Sequence, residues 1–193
     1  MQNFKVIHNL PVIPGLYNYF TDMVNNGLIT IPVHDQICLN APKGKEDDYK
    51  LGTGSLYIDW EKIDPDKLTS KENLPVRDVI YEEHDFTELC TVFVNTPFEK
   101  LFTELTNNYN IGRVRIMINL PKTCLSWHTD STPRLHYPIK TQDGCFMVIE
   151  DEIYHLPENQ WTFTNTTVKH TAFNGSFDKR IHIVATILDK HEN

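Results

Sequence analysis

The strongest constraint on the fold is a change to two-residue periodicity at Arg113. Apolar and polar residues alternate from there, which predicts a β-strand with one apolar face. Further strand-like segments follow as far as Leu188, separated by turn signals such as Asp143-Gly144 and Asn174-Gly175. The segments are 113–119, 134–140, 145–149, 153–156, 161–164, 167–173 and 180–188. Many short strands at this spacing predict a sandwich or barrel.

Helices are predicted only before this strand-rich part. Residues 16–25 place an apolar stripe at helical spacing, with Gly27 as the stop, and the stripe consists of Tyr17, Phe20, Met23 and Val24. A second helix is predicted to begin at Thr96-Pro97-Phe98-Glu99, which has the residues of a capping box, and to end near Asn107. A further helix is predicted to open in the same way at Asp85.

The segment from Pro42 to Gly54 predicts a mobile loop, because it combines a proline, three glycines and a run of charged residues. Two interpretations stay open for this loop. It is either plain solvated surface or a lid over a substrate.

A candidate metal site lies within the strand-rich part. His128 and Asp130 are two residues apart, so both side chains leave the same face of an extended segment. With His170 they would form two histidines and one carboxylate on one side of a metal, the set typical of non-haem Fe(II) oxygenases. Taken alone, His128 is equally compatible with a core or surface histidine that has a hydrogen-bond partner.

Cationic residues accompany these ligands. Arg180 lies ten residues after His170. In the predicted strand 134–140, Arg134 and His136 share one face. Each of these residues has an alternative interpretation. Arg180 is otherwise an exposed arginine at a strand end, Arg134 forms a salt bridge, and His136 is a packed histidine.

These elements together resemble the aspartyl/asparaginyl β-hydroxylase family of 2-oxoglutarate-dependent dioxygenases, which includes free-proline hydroxylases. The matching motifs are Arg113-Val114-Arg115-Ile116-Met117, His128-x-Asp130, Arg134-x-His136-x-Pro138, Trp161-x-Phe163, His170-x-x-x-Asn174 and Arg180-Ile181-His182. The resemblance covers about 75 of the 193 residues, and the first 110 residues carry no comparable signature.

The resemblance implies a fold and a set of roles. The fold would be a mainly β double-stranded β-helix, of the jelly-roll and cupin-like kind, flanked by N-terminal helices. His128, Asp130 and His170 would be the catalytic Fe(II) ligands. Arg180 would bind the distal carboxylate of the co-substrate 2-oxoglutarate. Arg134 and His136 would form a second polar clamp, for the co-substrate or the substrate. O2 would be consumed, and succinate and CO2 would be released.

The substrate is left between two classes. Family members that act on peptidyl Asp or Asn can lack the carboxylate ligand, so Asp130 favours an amino-acid-like small molecule over a peptide. Two other function classes also stay open: a cupin-like metalloenzyme that does not use 2-oxoglutarate, and a non-catalytic binding module on the same fold. Of the remaining aromatic and basic residues, Trp161 is predicted to be core, and His182 is left open between core and pocket.

Composition bounds the partners and the domain organisation. A net charge of −8 argues against a nucleic-acid or anionic-membrane surface, and no apolar run reaches a membrane span of about 20 residues. Four widely spaced cysteines predict reduced thiols and a cytoplasmic protein. We expect one domain over residues 1–193, in which residues 1–110 form a helical and loop region packed on a catalytic core at 111–190. The oligomeric state is left open.

Overall fold

The computed structural model describes residues 2–32, 34–59, 62–63 and 74–188. Its helices are α1 (Leu16–Asn25) and α2 (Pro97–Asn108), and short 3-10 turns cover Glu83–Asp85 and Thr91–Phe93. Its strands are β1 (Phe4–Val6), β2 (Gln36–Cys38), β3 (Asn40–Ala41), β4 (Glu88–Leu89), β5 (Ile111–Asn119), β6 (Thr123–Cys124), β7 (Arg134–Lys140), β8 (Cys145–Ile149), β9 (Glu152–Tyr154), β10 (Thr162–Thr164), β11 (His170–Asn174) and β12 (Arg180–Ile187).

Two antiparallel sheets dominate the described part of the chain. The six-stranded sheet has the order β1-β10-β7-β12-β5-β2 and is called the main sheet; the four-stranded sheet has the order β6-β11-β8-β9 and is called the minor sheet. Consecutive strands β11 and β12 lie in different sheets, so the chain crosses between them after Asn174 instead of forming a hairpin. This arrangement is the mainly β, double-stranded β-helix that the sequence predicted.

The main sheet is buried on both faces. On its outer face, Ile181, Ile183 and Ala185 of β12 join one hydrophobic core with both helices. The helices contribute the side chains of Leu16, Phe20, Met23, Phe98, Leu101, Phe102 and Leu105. Each fully buried side chain of this size stabilises the fold by about 1.5–3 kcal/mol. The inner face, which is turned toward the minor sheet, carries the alternate residues, and these are mostly polar.

Local sequence signals define both helices. After α1, Gly27 has a φ of +73°, and the amides of Gly27 and Leu28 donate to the carbonyls of Val24 and Met23 at 3.1 and 2.9 Å. This is a Schellman-type termination. It favours glycine because the residue at the position of Gly27 adopts a left-handed backbone conformation. At the start of α2, Thr96 Oγ1 accepts from the Phe98 amide at 3.2 Å.

The capping box at α2 forms only in part. Glu99 Oε2 accepts from the backbone amide of Asn95 at 2.6 Å, one residue before the N-cap. The carboxylate therefore still satisfies an amide at the helix start, and both predicted ends of α2 are confirmed.

The predicted helix at Asp85 is wrong. Asp85 Oδ2 accepts from the Glu82 amide and closes one 3-10 turn, after which β4 pairs with β3. Long-range strand pairing overrides the local capping signal here. The first 110 residues also supply more than helices and loops, because β1 and β2 form the two edges of the main sheet.

Arginine side chains hold the end of the predicted loop. Arg113 Nη1 donates to the carbonyls of Gly52 and Gly54 at 2.8 and 2.9 Å, and Arg77 donates to those of Leu51 and Thr53 at 2.8 and 3.2 Å. These hydrogen bonds hold residues 51–54 next to β5. The sequence did not predict this attachment.

Arg113 is itself neutralised by Glu83. Its Nη2 and Nε lie 2.7 and 3.1 Å from Glu83 Oε1, and its backbone amide donates to Oε2 at 3.0 Å. Burial opposes ionisation of Glu83, but the hydrogen bonds and charge of Arg113 outweigh it and lower the pKa from 4.5 to about 2.

We therefore expect Glu83→Gln to lower the free energy of unfolding by about 3–5 kcal/mol at pH 7, because Arg113 would be left buried and unpaired. The folded pKa lies below the unfolded one, so the contribution of Glu83 is complete above pH 4.5 and is lost as the pH falls toward about 2. Urea unfolding at pH 7, 4 and 3 should show that the difference in free energy of unfolding between wild type and Glu83→Gln becomes smaller as the pH falls. Glu104→Gln on α2 is the control. A difference in free energy of unfolding that does not change with pH would contradict the ion pair between Glu83 and Arg113.

Candidate active site

The three predicted metal ligands converge. The His128 amide donates to the His170 carbonyl at 3.1 Å, and the His170 amide donates to the His128 carbonyl at 2.9 Å. Residues paired in this way on antiparallel segments project their side chains to the same face. Asp130 follows two residues later, and its amide donates to the Thr166 carbonyl at 2.8 Å. The three candidate ligand atoms lie within 4.8 Å of one another.

Local backbone carbonyls orient both imidazole rings. His128 Nδ1 lies 2.7 Å from the Ser126 carbonyl, and His170 Nδ1 lies 3.0 Å from the Val168 carbonyl. A carbonyl only accepts, so each Nδ1 carries the hydrogen and each Nε2 keeps a lone pair. Burial lowers the pKa of His170, which keeps the ring neutral as metal binding requires. Two imidazole nitrogens and a carboxylate on one side fit a divalent transition metal that retains open positions.

Arg134 steadies this ligand set. Its Nε lies 3.4 Å from Asp130 Oδ2, and its Nη1 donates to the carbonyl and hydroxyl of Thr132 at 2.7 and 2.5 Å. Burial lowers the pKa of Arg134, and the charge of Asp130 opposes that shift. The guanidinium therefore ties the carboxylate to the start of β7.

Arg180, His182 and His136 form a second polar cluster on the inner face of the main sheet. Arg180 Nη2 lies 3.1 Å from His182 Nδ1, and His182 Nδ1 lies 3.4 Å from His136 Nδ1. All three side chains are buried. Burial, followed by the charge of Arg180, lowers the pKa of both histidines well below 6.5, so both rings are neutral at pH 7.

Several buried polar atoms on this inner face have no hydrogen-bond partner in the described part of the chain. They are Arg115 Nε, Asn119 Nδ2, Thr162 Oγ1, His182 Nε2 and Thr186 Oγ1. Buried polar groups are almost always satisfied, so a group of unsatisfied ones facing the same space indicates a binding site for a polar ligand.

Unpaired cations lie at two separate places on the inner face. Among the described residues, the Arg115 side chain donates a hydrogen bond only to the neutral amide of Gln36, whose Oε1 accepts at 3.2 Å, and burial lowers the pKa of Arg115 to about 9. Burial also lowers the pKa of Arg180, to about 10, and no carboxylate in the described ranges forms an ion pair with either guanidinium. Arg180 lies opposite Asn119, four residues along β5 from Arg115, which separates the two backbone positions by about 13 Å.

The structure brings the predicted metal ligands together, and the contact between Asp130 and Arg134 connects them to the inner face of the main sheet. His170 is buried, Asp130 is partly buried and His128 is exposed, whereas Arg134, His136 and Arg180 are buried on that inner face. His182, which the sequence left open, lies on this face too, and Trp161 is core as predicted. The sequence missed Thr162, Thr186 and Gln36. The two-residue alternation from Arg180 could have found Thr186, whereas nothing local could have found Gln36.

Comparison with known proteins gives a family match. Residues 71–189 match the sequence profile of the family described as aspartyl/asparaginyl beta-hydroxylase. No curated protein sequence matches the chain.

Solved structures give weaker similarities. AviO1 from Streptomyces viridochromogenes Tue57 aligns over 98% of this chain and 90% of its own, with 12% identity and a TM-score of 0.43. An oxidoreductase of the 2OG-Fe(II) oxygenase family from Burkholderia pseudomallei aligns over 47% of each chain, with 15% identity and a TM-score of 0.36. A cupin domain from Bordetella pertussis Tohama I covers 40% of this chain and 81% of its own, with 16% identity and a TM-score of 0.36.

Among the described residues, no helix has the length and apolar character needed to cross a membrane.

Metal binding should depend on the converging side chains. We expect Mn(II), used as an air-stable probe, to bind the wild-type protein in calorimetric titration and to raise its melting temperature. His128→Ala and Asp130→Ala should remove both effects, because each takes away one of three ligands. His84→Ala, at an exposed site outside the cluster, is the control. Wild-type Mn(II) affinity in both ligand variants would contradict the site.

Proposed function

Since the chain belongs to the aspartyl/asparaginyl β-hydroxylase family, we propose that it is a 2-oxoglutarate- and Fe(II)-dependent dioxygenase that hydroxylates a C–H bond of an amino-acid-like small molecule. Succinate and CO2 are the co-products. The observation that carries this proposal is the convergence of His128, Asp130 and His170 beside an internal space with unpaired guanidinium groups.

The donor set suits the metal that this reaction needs. His128, Asp130 and His170 would hold Fe(II) on one side and leave the other side for 2-oxoglutarate and O2. Bound there, Fe(II) supplies the oxygen chemistry that amino-acid side chains lack. The protein supplies the fixed imidazole tautomers, set by the Ser126 and Val168 carbonyls, and the contact that holds Asp130 in place.

Arg180 is the proposed partner of the distal carboxylate of 2-oxoglutarate. Its side chain is buried and has no carboxylate partner among the described residues, so a dicarboxylate would remove the cost of an isolated internal charge. A guanidinium can also hold a carboxylate by two parallel hydrogen bonds, which fixes the orientation of the ligand. His136, a neutral and buried member of this cluster, and Arg134 are proposed as a second polar clamp, for the co-substrate or the substrate.

Arg115 is the proposed partner of the substrate carboxylate. Its backbone position lies about 13 Å from that of Arg180 along the strands, so the two guanidinium groups are attached at separate places on the inner face. Two unpaired buried cations therefore favour two anionic ligands, the co-substrate and a substrate with its own carboxylate. A free amino acid meets this requirement, and a peptidyl Asp side chain is the second candidate.

We expect Arg180→Met to weaken anaerobic binding of 2-oxoglutarate by about 2–4 kcal/mol, or roughly 30- to 900-fold, because a charge-assisted contact is lost. Calorimetry on the Mn(II)-loaded protein measures this loss. Lys179→Met, which removes the neighbouring exposed charge, should bind 2-oxoglutarate like wild type. An unchanged affinity in Arg180→Met would exclude this residue as the distal-carboxylate partner.

Substrate class can be tested by succinate production from 2-oxoglutarate. We expect stimulation by at least one free amino acid in a panel, and little by Asp- or Asn-containing peptides. For the active amino acid, Arg115→Met should raise KM at least 10-fold while leaving the affinity for 2-oxoglutarate unchanged. Stimulation by peptides alone would refute the small-molecule preference but keep the oxygenase assignment, whereas wild-type protein that never forms succinate would refute both.

A further inference from the structure

The hydrogen bond between Arg180 and His182 restricts the protonation of the histidine. An arginine side chain has only donors, so His182 Nδ1 must present its lone pair to Arg180 Nη2 at 3.1 Å. A neutral imidazole with a lone pair on Nδ1 carries its hydrogen on Nε2. His182 is therefore an Nε2–H donor, and burial holds it in the neutral form.

His136 fits the same arrangement. Its Nδ1 lies 3.4 Å from His182 Nδ1, and the two rings meet edge to face with centroids 5.7 Å apart. Because His182 Nδ1 is an acceptor, a hydrogen bond between the rings requires the hydrogen to be on His136 Nδ1. Arg180 and His136 then share one acceptor, which fixes the ring of His182 from two sides.

The donor nitrogen of His182 has no hydrogen-bond partner in the part of the chain that the structure describes. Its Nε2 is buried and makes no hydrogen bond to any described residue, although its ring lies in the cluster that contains Arg180. Leaving such a donor unsatisfied is unfavourable. The other nitrogen of the same ring contacts the Arg180 guanidinium, and the charge of that guanidinium favours a carboxylate ligand over a neutral one.

We propose that His182 determines co-substrate specificity: its Nδ1 lone pair positions the Arg180 guanidinium, and its Nε2–H donates a hydrogen bond to the carboxylate that Arg180 binds. This proposal rests on the proposed function, since it assigns a second donor to the distal carboxylate of 2-oxoglutarate. It explains why a neutral histidine, and not a carboxylate, accompanies this buried arginine. An acidic partner would satisfy Arg180 and repel the ligand.

Isosteric variants separate the two ring nitrogens. The side-chain amide of asparagine approximates the position of Nδ1, and that of glutamine the position of Nε2. His182→Asn keeps an acceptor for Arg180 but loses the donor, whereas His182→Gln keeps a donor but loses the acceptor. His84→Asn, at an exposed site, is the control.

The ligands are 2-oxoglutarate and 2-oxobutyrate, which lacks the distal carboxylate, titrated anaerobically into the Mn(II)-loaded protein. We expect His182→Asn to weaken 2-oxoglutarate binding at least 10-fold and to leave 2-oxobutyrate binding unchanged. His182→Gln should recover part of the loss, because its amide keeps a donor near the position of Nε2. Equal losses for both keto acids, or no loss at all, would overturn the proposal. Wild-type protein that does not prefer 2-oxoglutarate to 2-oxobutyrate would instead refute the proposed function.

A measurement on the wild-type protein tests the proposed contact without relying on variants that could fail to fold. Nitrogen-15 NMR of the histidine side chains distinguishes the two neutral tautomers and the charged form. We expect His182 to be the neutral Nε2–H tautomer at pH 7, and its Nε2–H proton signal to shift when 2-oxoglutarate is added. A hydrogen on Nδ1, or a signal that does not respond to the ligand, would contradict the proposed contact.

Discussion

Burial of the main sheet on both faces is the constraint on which the rest of the structure depends. Along β12, Ile181, Ile183 and Ala185 lie against the helices, and Arg180 and His182 lie against the internal space. The outer face supplies the hydrophobic stabilisation of the fold. The inner face is then free to carry polar groups whose burial is unfavourable until a ligand satisfies them. Stability and binding are thus assigned to opposite faces of the same strands.

The buried charges on the inner face fall into two classes. Arg113 is paired with Glu83, and Arg134 with Asp130, so each has an internal counter-charge. Arg115 and Arg180 have none among the described residues, and burial lowers the pKa of both. Since an unpaired buried cation destabilises the fold, anionic ligands at these two places should stabilise it by mass action.

The metal ligands depend on backbone pairing between segments far apart in the sequence. The two hydrogen bonds between His128 and His170 bring the ligands to one face, and each ring is then oriented by a carbonyl two residues earlier in its own segment. Rotation of the rings is therefore limited locally, while their approach is decided by the fold. Such hydrogen bonds from outside the ligand set orient the side chains that would bind a metal.

Alternation and turn signals in the sequence by themselves determined the strands of the core and both helices, because two-residue periodicity and capping are local properties. The candidate ligands came from the spacing of His128 and Asp130 and from the family resemblance. Only the tertiary structure decided which face of each strand meets the helices, that the chain crosses between sheets after Asn174, and that β1 and β2 complete the main sheet. It also replaced the helix predicted at Asp85 by a short turn and a strand. Partners such as Glu83 for Arg113 and Gln36 for Arg115 come from distant segments, and no local pattern encodes a contact made by long-range strand pairing.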